Sequence, residues 1–259
     1  MMIQGKSCTL TVAKDGEYYP LPYSEETVRQ ASKGYALPGV IGIRNREQTI
    51  ITGRTIQGCV VTMLEYQNVW ALFLLLFYYK EYFDLLADRV AEKIVYKNLT
   101  IKSFELRGEN GKPLHFRFDV KETEDTYTES WPIGLPSLKW NAAKVYIYDG
   151  HSVIADLKTL PLVYRFTLTG NYTEKAKYKV MLYFPLSEDY FPTLGRIDKL
   201  KIMLDAKTGV WLDLYDLVAL DDMADINCAD TVLCYQTFYI TGKVVLNIRN
   251  QNECKTVVL

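Results

Sequence analysis

Period-two alternation over several short segments, two-residue turn signals between them and one long apolar run predict a mainly-β protein carrying one packed α-helix. The alternation is plainest at Leu114, Phe116, Phe118 and Val120, which interleave with His115, Arg117, Asp119 and Lys121. Asn110-Gly111 and Asp149-Gly150 supply the turn signals. The apolar run is Val69 to Tyr79, eleven residues without a charge, with Lys80 and Glu81 directly after it.

Taken in order, residues 7–14 read as a short strand inside an otherwise irregular N-terminal arm over 1–40, rich in Tyr, Pro, Ser and Gly. From Ile41 to Met63 the chain alternates weakly and carries too little apolar mass for a core, which predicts a long hairpin with a projecting tip. A helix is expected over 66–83, with Trp70, Phe73, Leu74, Phe77 and Tyr78 buried, and its apolar character runs on through Phe83, Leu85 and Leu86. A bilayer crossing needs about 20 apolar residues, so no membrane insertion of this chain is expected.

After the helix, Leu99 and Ile101 share one face while Phe104 and Leu106 take the opposite parity, so a bulge is expected near Ser103. A hairpin turning at Asn110-Gly111 follows, and a second hairpin is expected to turn at Asp149-Gly150. Between them, prolines 132 and 136 argue against a sheet interior. Further strands are expected at 162–169, 177–184, 197–204 and 235–249. Inner faces would be Leu162, Tyr164, Phe166 and Leu168 on the first, and Tyr178, Val180, Leu182 and Phe184 on the second. Residues 205–230 hold seven aspartates and one lysine, with apolar residues at helical spacing, so either a short helix or an acidic loop fits there.

Composition removes several functional classes. Lys and Arg total 30 against 31 Asp and Glu, which gives no global basic charge with which to grip nucleic acid. Five cysteines form neither CxxC pairs nor a regular framework, as expected of a reducing compartment. The N-terminus lacks the apolar core of a secretory signal, so NLT at 98–100 and NYT at 171–173 need no glycan. His115 and His151 are the two histidines and have no cysteine near them, so no metal site is expected.

No GxSxG elbow is present, and GRTIQG at 53–58 lacks the GK[ST] ending of a phosphate loop. Two of Asp213, Asp216, Asp221 and Asp222 could in principle serve a glycosidase across a cleft, but a solvated acidic face is the better explanation of them. The expectation is therefore no enzyme, no catalytic residue and no cofactor.

The order of elements resembles the tail tube proteins of long-tailed, siphovirus-like bacteriophages. The resemblance is carried by the loop segment 37–58, by EYQNVWALFLLLFYYKEYF at 65–83 and by YKNLTIKSFELRGENGKPLHFRFDVKE at 96–122. It continues through LPSLKWNAAKVYIYDG at 135–150 and LKTLPLVYRFTLTGN at 157–171. It rests on spacing and pattern over 35–250, and the bulky aromatic helix and the acidic 205–230 segment depart from it.

The resemblance implies a β-barrel or β-sandwich tail-tube fold over 41–250, with one packed helix, a ring-forming sheet and a C-terminal tail at 251–259. It implies hexameric rings stacked into a tube in the virion tail, made in the host cell cytoplasm, with other tail proteins as partners. Double-stranded DNA would pass through the lumen during ejection without specific binding.

In that reading the loop 44–57, with Arg44, Asn45, Arg46, Glu47, Thr49, Thr52 and Arg54, contacts the adjacent ring. Glu105, Glu109, Asp119, Asp213, Asp216, Asp221 and Asp222 are the candidates for an acidic lumen or surface. Two alternatives stand beside it: a tube protein of a contractile or secretion-type injection system, and a carbohydrate-binding or sugar-acting β-sandwich using Trp131, Trp140 and Trp211.

Overall fold

The computed structural model describes residues 8–37, 48–64, 82–89, 92–131, 145–150, 152–154, 163–173, 177–185, 195–205, 209–223, 233–250 and 253–258. The described chain is mainly β, every pairing is antiparallel, and the sheet is not closed. The longest strand, β7 at Lys93–Glu109, belongs to two groups of strands. Its first half lies between β6, Phe83–Asp88, and β9, Tyr127–Ser130. Outside β6 come β1, Thr9–Lys14, and then β2, Glu17–Leu21.

The second half of β7 lies between β8, His115–Lys121, and β11, Arg165–Asn171. Beyond β8 is β5, Gln48–Met63, whose far edge carries β3, Tyr23–Glu26, and β4, Arg29–Leu37. Beyond β11 follow β12, Lys177–Pro185, and β15, Leu233–Ile240. Then come β14, Val210–Met223, β13, Arg196–Asp205, and β10, Ser152–Ile154. β16, Val244–Asn250, continues the line of β15 along β14 and is edged by β17, Glu253–Val258.

β7 serves both groups because it bends at Asn98. The register passes from Phe83↔Leu99 to Leu85↔Tyr96, so Lys97 and Asn98 together oppose Asp84, which is a β-bulge. Asn98 takes φ 57°, and its N–H donates to Asp84 Oδ1 at 3.1 Å. Asp84 Oδ2 accepts the Lys97 ammonium at 2.8 Å, and that hydrogen bond raises the lysine's pKa. The Thr123 and Thr126 hydroxyls donate to the Asn98 carbonyl at 3.1 and 2.8 Å, while Asn98 Nδ2 donates to Asp125 O at 2.9 Å.

One apolar cluster joins the two groups, taking Leu10, Val12 and Leu85 from the first and Phe116, Val180 and Leu200 from the second. At its centre β7 and β11 exchange volume across the ladder. Phe104 faces Gly170, Leu106 faces Leu168, and Gly108 faces Phe166. Each ring covers the glycine opposite, so closely that a Cβ at Gly170 would fall 2.1 Å from Phe104 Cε1.

The N-terminal strands are fastened to the β6–β7 turn by charge. Arg89 Nε and Nη2 donate to the two Glu26 carboxylate oxygens at 2.9 and 2.8 Å. Glu26 in turn accepts the Val28 N–H at 2.6 Å, and the buried Tyr96 hydroxyl donates to Val28 O at 3.0 Å. Fork-to-fork pairing of this kind is the strong form of an ion pair.

Several expectations are met. Phe116, Phe118 and Val120 are buried on β8, and Tyr178, Val180, Leu182 and Phe184 on β12, as the alternation requires. A register shift falls between Ile101 and Ser103, and Gly111 takes φ 75° in its turn. Other expectations are corrected. Phe83, Leu85 and Leu86 stand on a strand, so the apolar character that suggested a helix reaching 83 and beyond reflects a strand buried on both faces. The remainder of that helix, with Trp70, Phe73, Leu74, Phe77 and Tyr78, lies outside the described residues.

In place of an irregular arm, 9–37 carries β1 to β4, and the expected tail holds β17. Residues 210–223 are a strand, neither helix nor loop, because β13, β15 and β16 supply partners along both its edges. Asp149-Gly150 does not turn a hairpin. Before it, Tyr146 and Tyr148 bond to Leu64, Leu114, Gly111 and Lys112, and after it β10 pairs with β13. The single strand expected over 235–249 is interrupted at Thr241–Lys243, opposite Tyr215 and Asp216.

Two stability measurements check this account. Asn98→Ala should lower the unfolding free energy by about 1–2 kcal/mol more than Asn98→Gly, because only the glycine accepts a positive φ without strain. Equal losses by urea denaturation would remove the role of the left-handed bulge. Gly170→Ala should cost about 1–3 kcal/mol through overpacking, and the added change Phe104→Leu should recover part of it. Additive losses in the double variant would contradict the ring-over-glycine arrangement.

Candidate functional site

Burying Phe116, Phe118, Leu106, Leu168, Val180 and Leu182 on one face of the central strands forces their sequence neighbours onto the other. That second face presents polar residues in rows set by the register. One row runs Glu25, Val61, Arg117, Glu105, Thr169, Lys179, Tyr239 and Val218 across β3, β5, β8, β7, β11, β12, β15 and β14. Beside it, Asp119, Ser103, Asn171 and Lys177 form a shorter row, and His115, Arg107 and Thr167 a third.

Two grooves cross this face and share Glu105 and Arg117. One, of about 410 Å³, is bordered by Ser103, Asp119, Asn171, Lys177, Lys179 and Tyr239. The other, of about 390 Å³, is bordered by Val61, Arg107, Glu109, Lys112 and His115. In the second groove the Lys112 ammonium donates to Glu109, and Arg107 lies 3.3 Å from the same carboxylate. The Lys112 hydrogen bond, acting against burial, holds the Glu109 carboxyl below its ordinary value. Burial, reinforced by the Arg107 charge, lowers the His115 pKa and favours the neutral imidazole. In the first groove Asp119 accepts the Ser103 hydroxyl at 2.6 Å and lies 3.5 Å from Arg117.

The acidic positions expected from sequence therefore separate. Glu105, Glu109 and Asp119 share one face, but Arg107, Lys112 and Arg117 stand among them, so the lining is of mixed sign and not acidic. Asp213 is buried on β14 at 7 % exposure, which removes it from any lumen or surface. Its Oδ2 accepts from Trp211 Nε1 at 3.2 Å and Asn247 Nδ2 at 3.0 Å, and Lys199 Nζ lies 3.3 Å from Oδ1. Asp216 takes φ 55° within β14, opposite the break between β15 and β16, 3.5 Å from Arg196. Asp221 and Asp222 occupy the end of β14, opposite Thr237 and Gln236.

Of the inter-ring candidates, Thr49, Thr52 and Arg54 lie on β5, with Arg54 exposed, and Arg44, Asn45, Arg46 and Glu47 lie outside the described residues. Trp131 packs on a small second cluster of Ala13, Leu86 and Val95, under the Lys93 ammonium at 5.5 Å. Trp211 is capped by Lys201 at 4.5 Å. Sequence reasoning passed over Lys177, Lys179 and Tyr239 as site residues. The alternation of Lys177 and Lys179 with buried Tyr178 and Val180 already placed both ammonium groups on one outer face.

Among the described residues no three His, Cys, Asp or Glu side chains gather as a metal site, and no helix is long and apolar enough to cross a membrane. No protein-family model and no curated protein matches this chain.

Glu109 yields a signed pH prediction. Because its folded pKa is depressed, its contribution is present above the unfolded value of about 4.3 and is lost as pH falls through the folded value. Lys112→Met should therefore be less stable than the parent at pH 7, with the gap closing on acidification to pH 3. Denaturant midpoints that keep a constant gap across that range would rule out the pairing as its source.

Proposed function

We propose that this chain is a structural subunit of the tail tube of a long-tailed, siphovirus-like bacteriophage. It assembles into hexameric rings, and the stacked rings conduct double-stranded DNA during ejection. The role is architectural, with no catalytic step and no cofactor, and the site of action is the virion tail.

The observation that carries the reading is the β4–β5 arm. Its nine register pairs run from Arg29↔Gln57 to Leu37↔Gln48, and Gln57 is also the last residue of β5 that pairs with β8. Eight pairs therefore continue past the sheet, a reach of about 25 Å. A two-stranded ribbon is marginally stable alone, so an arm of this length calls for a neighbour to lie against. A neighbouring ring supplies one.

The open sheet supports the same reading. A sheet that does not close within the chain leaves edge strands, and natural proteins cover such edges or pair them with another copy. Head-to-tail contacts that close into a ring remove every edge at once, and the barrel of the tail-tube fold then forms from several chains. Lys33, on the arm, is held 2.7 Å from Glu122 at its base, which directs the arm before any neighbour arrives.

Negative-stain electron microscopy of the purified protein, alone and with co-expressed tail components, tests the proposal. Rings and stacked tubes are expected. Deleting Asn45 to Arg54 should leave a folded protein that grows no tube. Tubes of normal length from the deletion variant would end the stacking role of the arm, and a parent protein that forms no ring even with tail components present would end the tube reading itself.

A further inference from the structure

The charges on the central face are unevenly spread. The outward residues of β11 and β12 are Arg165, Thr167, Thr169 and Asn171, then Lys177, Lys179, Met181 and Tyr183, which makes three bases and no acid. The acids of the neighbouring strands are already engaged or opposed. Asp119 holds Ser103 and faces Arg117, Glu109 holds Lys112, and Glu105 stands in register with Arg117. Lys177 and Lys179 have no acidic partner among the described residues, and they border the groove of about 410 Å³. Two residues apart on one strand, they sit about 7 Å from each other along its direction.

An open aromatic ring adjoins them. Tyr239 pairs in register with Lys179 and is 47 % exposed, with Val218 on its other side at 41 %. Among the described residues no cation covers the Tyr239 ring. The other lysine-rich aromatic cluster differs in this respect, since Trp211 is capped by Lys201, and Tyr215 by Lys199 at 5.1 Å and Lys243 at 4.9 Å. Asn171, whose Oδ1 is occupied by Thr173, leaves its amide N–H groups to donate into the same groove.

Uncompensated lysines in a groove beside an exposed ring form the pairing by which a sheet holds a single nucleic-acid strand: cations follow the phosphates while a base stacks on the aromatic face. We propose that this groove binds single-stranded nucleic acid, with Lys177 and Lys179 on the phosphodiester backbone and Tyr239 as the stacking platform. The site is complete within one chain and does not depend on the ring assembly. Because a base must leave its duplex to reach Tyr239, the groove prefers a single strand to a double helix.

Fluorescence anisotropy of the full chain with a fluorescein-labelled twelve-residue oligothymidylate, and with a duplex of equal length, tests it in 20 mM and 200 mM NaCl. Binding at the lower salt, weaker at the higher and favouring the single strand, is expected. Lys177→Glu with Lys179→Glu should lower affinity at least tenfold and reduce the salt slope by about 1.4, from about 0.7 per neutralised phosphate. Tyr239→Ala should weaken single-strand binding by about 5- to 100-fold and leave duplex binding unchanged.

No binding at 20 mM NaCl overturns the proposal. So does tighter binding of the duplex, or an equal loss from Arg249→Glu, an exposed control on β16 away from the groove. Tubes seen by microscopy together with no oligonucleotide binding would reject the groove and leave the tube reading standing. The reverse pattern would reject the tube alone.

Discussion

Two residues of β7 oppose one residue of β6 at Asp84, and the architecture turns on that mismatch. A regular strand of 17 residues would carry one face through its whole length and could join only one flat ladder. The extra residue lets Asn98 turn left-handed, and the strand then presents its second half to β8 and β11 instead of β6 and β9. The carboxylate of Asp84 satisfies the backbone N–H and the lysine ammonium exposed by the bend. The threonines at 123 and 126 take up the carbonyl. An interruption in the ladder is thus repaired with local polar groups.

The polar face depends on the same strand. Because the second half of β7 is fixed between β8 and β11, the residues that face away from the core fall into rows whose composition the register decides. The Phe104–Gly170 and Phe166–Gly108 pairs resist slippage of β11 on β7, since a one-residue shift would set rings against side chains with no space between. With that register held, Glu105 meets Arg117 and Thr169, and Lys177 and Lys179 of β12 stand beside the groove. Packing inside therefore determines charge placement outside.

How much of this could be read from residues alone varied with burial. Strands with one wet and one dry face, such as β8, β11 and β12, were legible because alternation records the two environments directly. The parity change near Ser103 was legible for the same reason. β6 was not, because Leu85, Leu86 and Ala87 are all buried, and a strand covered on both faces has the same apolar run as a buried helix. β9 failed in the opposite direction, since all four residues are exposed and leave no pattern. β14 was masked by its aspartates, one of which is buried in a network with Trp211, Asn247 and Lys199 that only the folded chain brings together. At the site, the two lysines were visible, but the ring that completes their groove lies 60 residues on at Tyr239, in β15, and no local spacing connects them.

The pairing of β1 with β6 sets a schedule for synthesis. Thr9 meets Asp88 and Ala13 meets Asp84, so β1 must wait until most of a hundred further residues have been made before its partner exists. Its other edge can close earlier against β2, directly after it in the chain, which gives β1 a provisional hairpin. Until β6 arrives, Leu10 and Val12, both buried in the finished fold, lack the strand beside them, so wide separation in the chain leaves this edge of the sheet to form late.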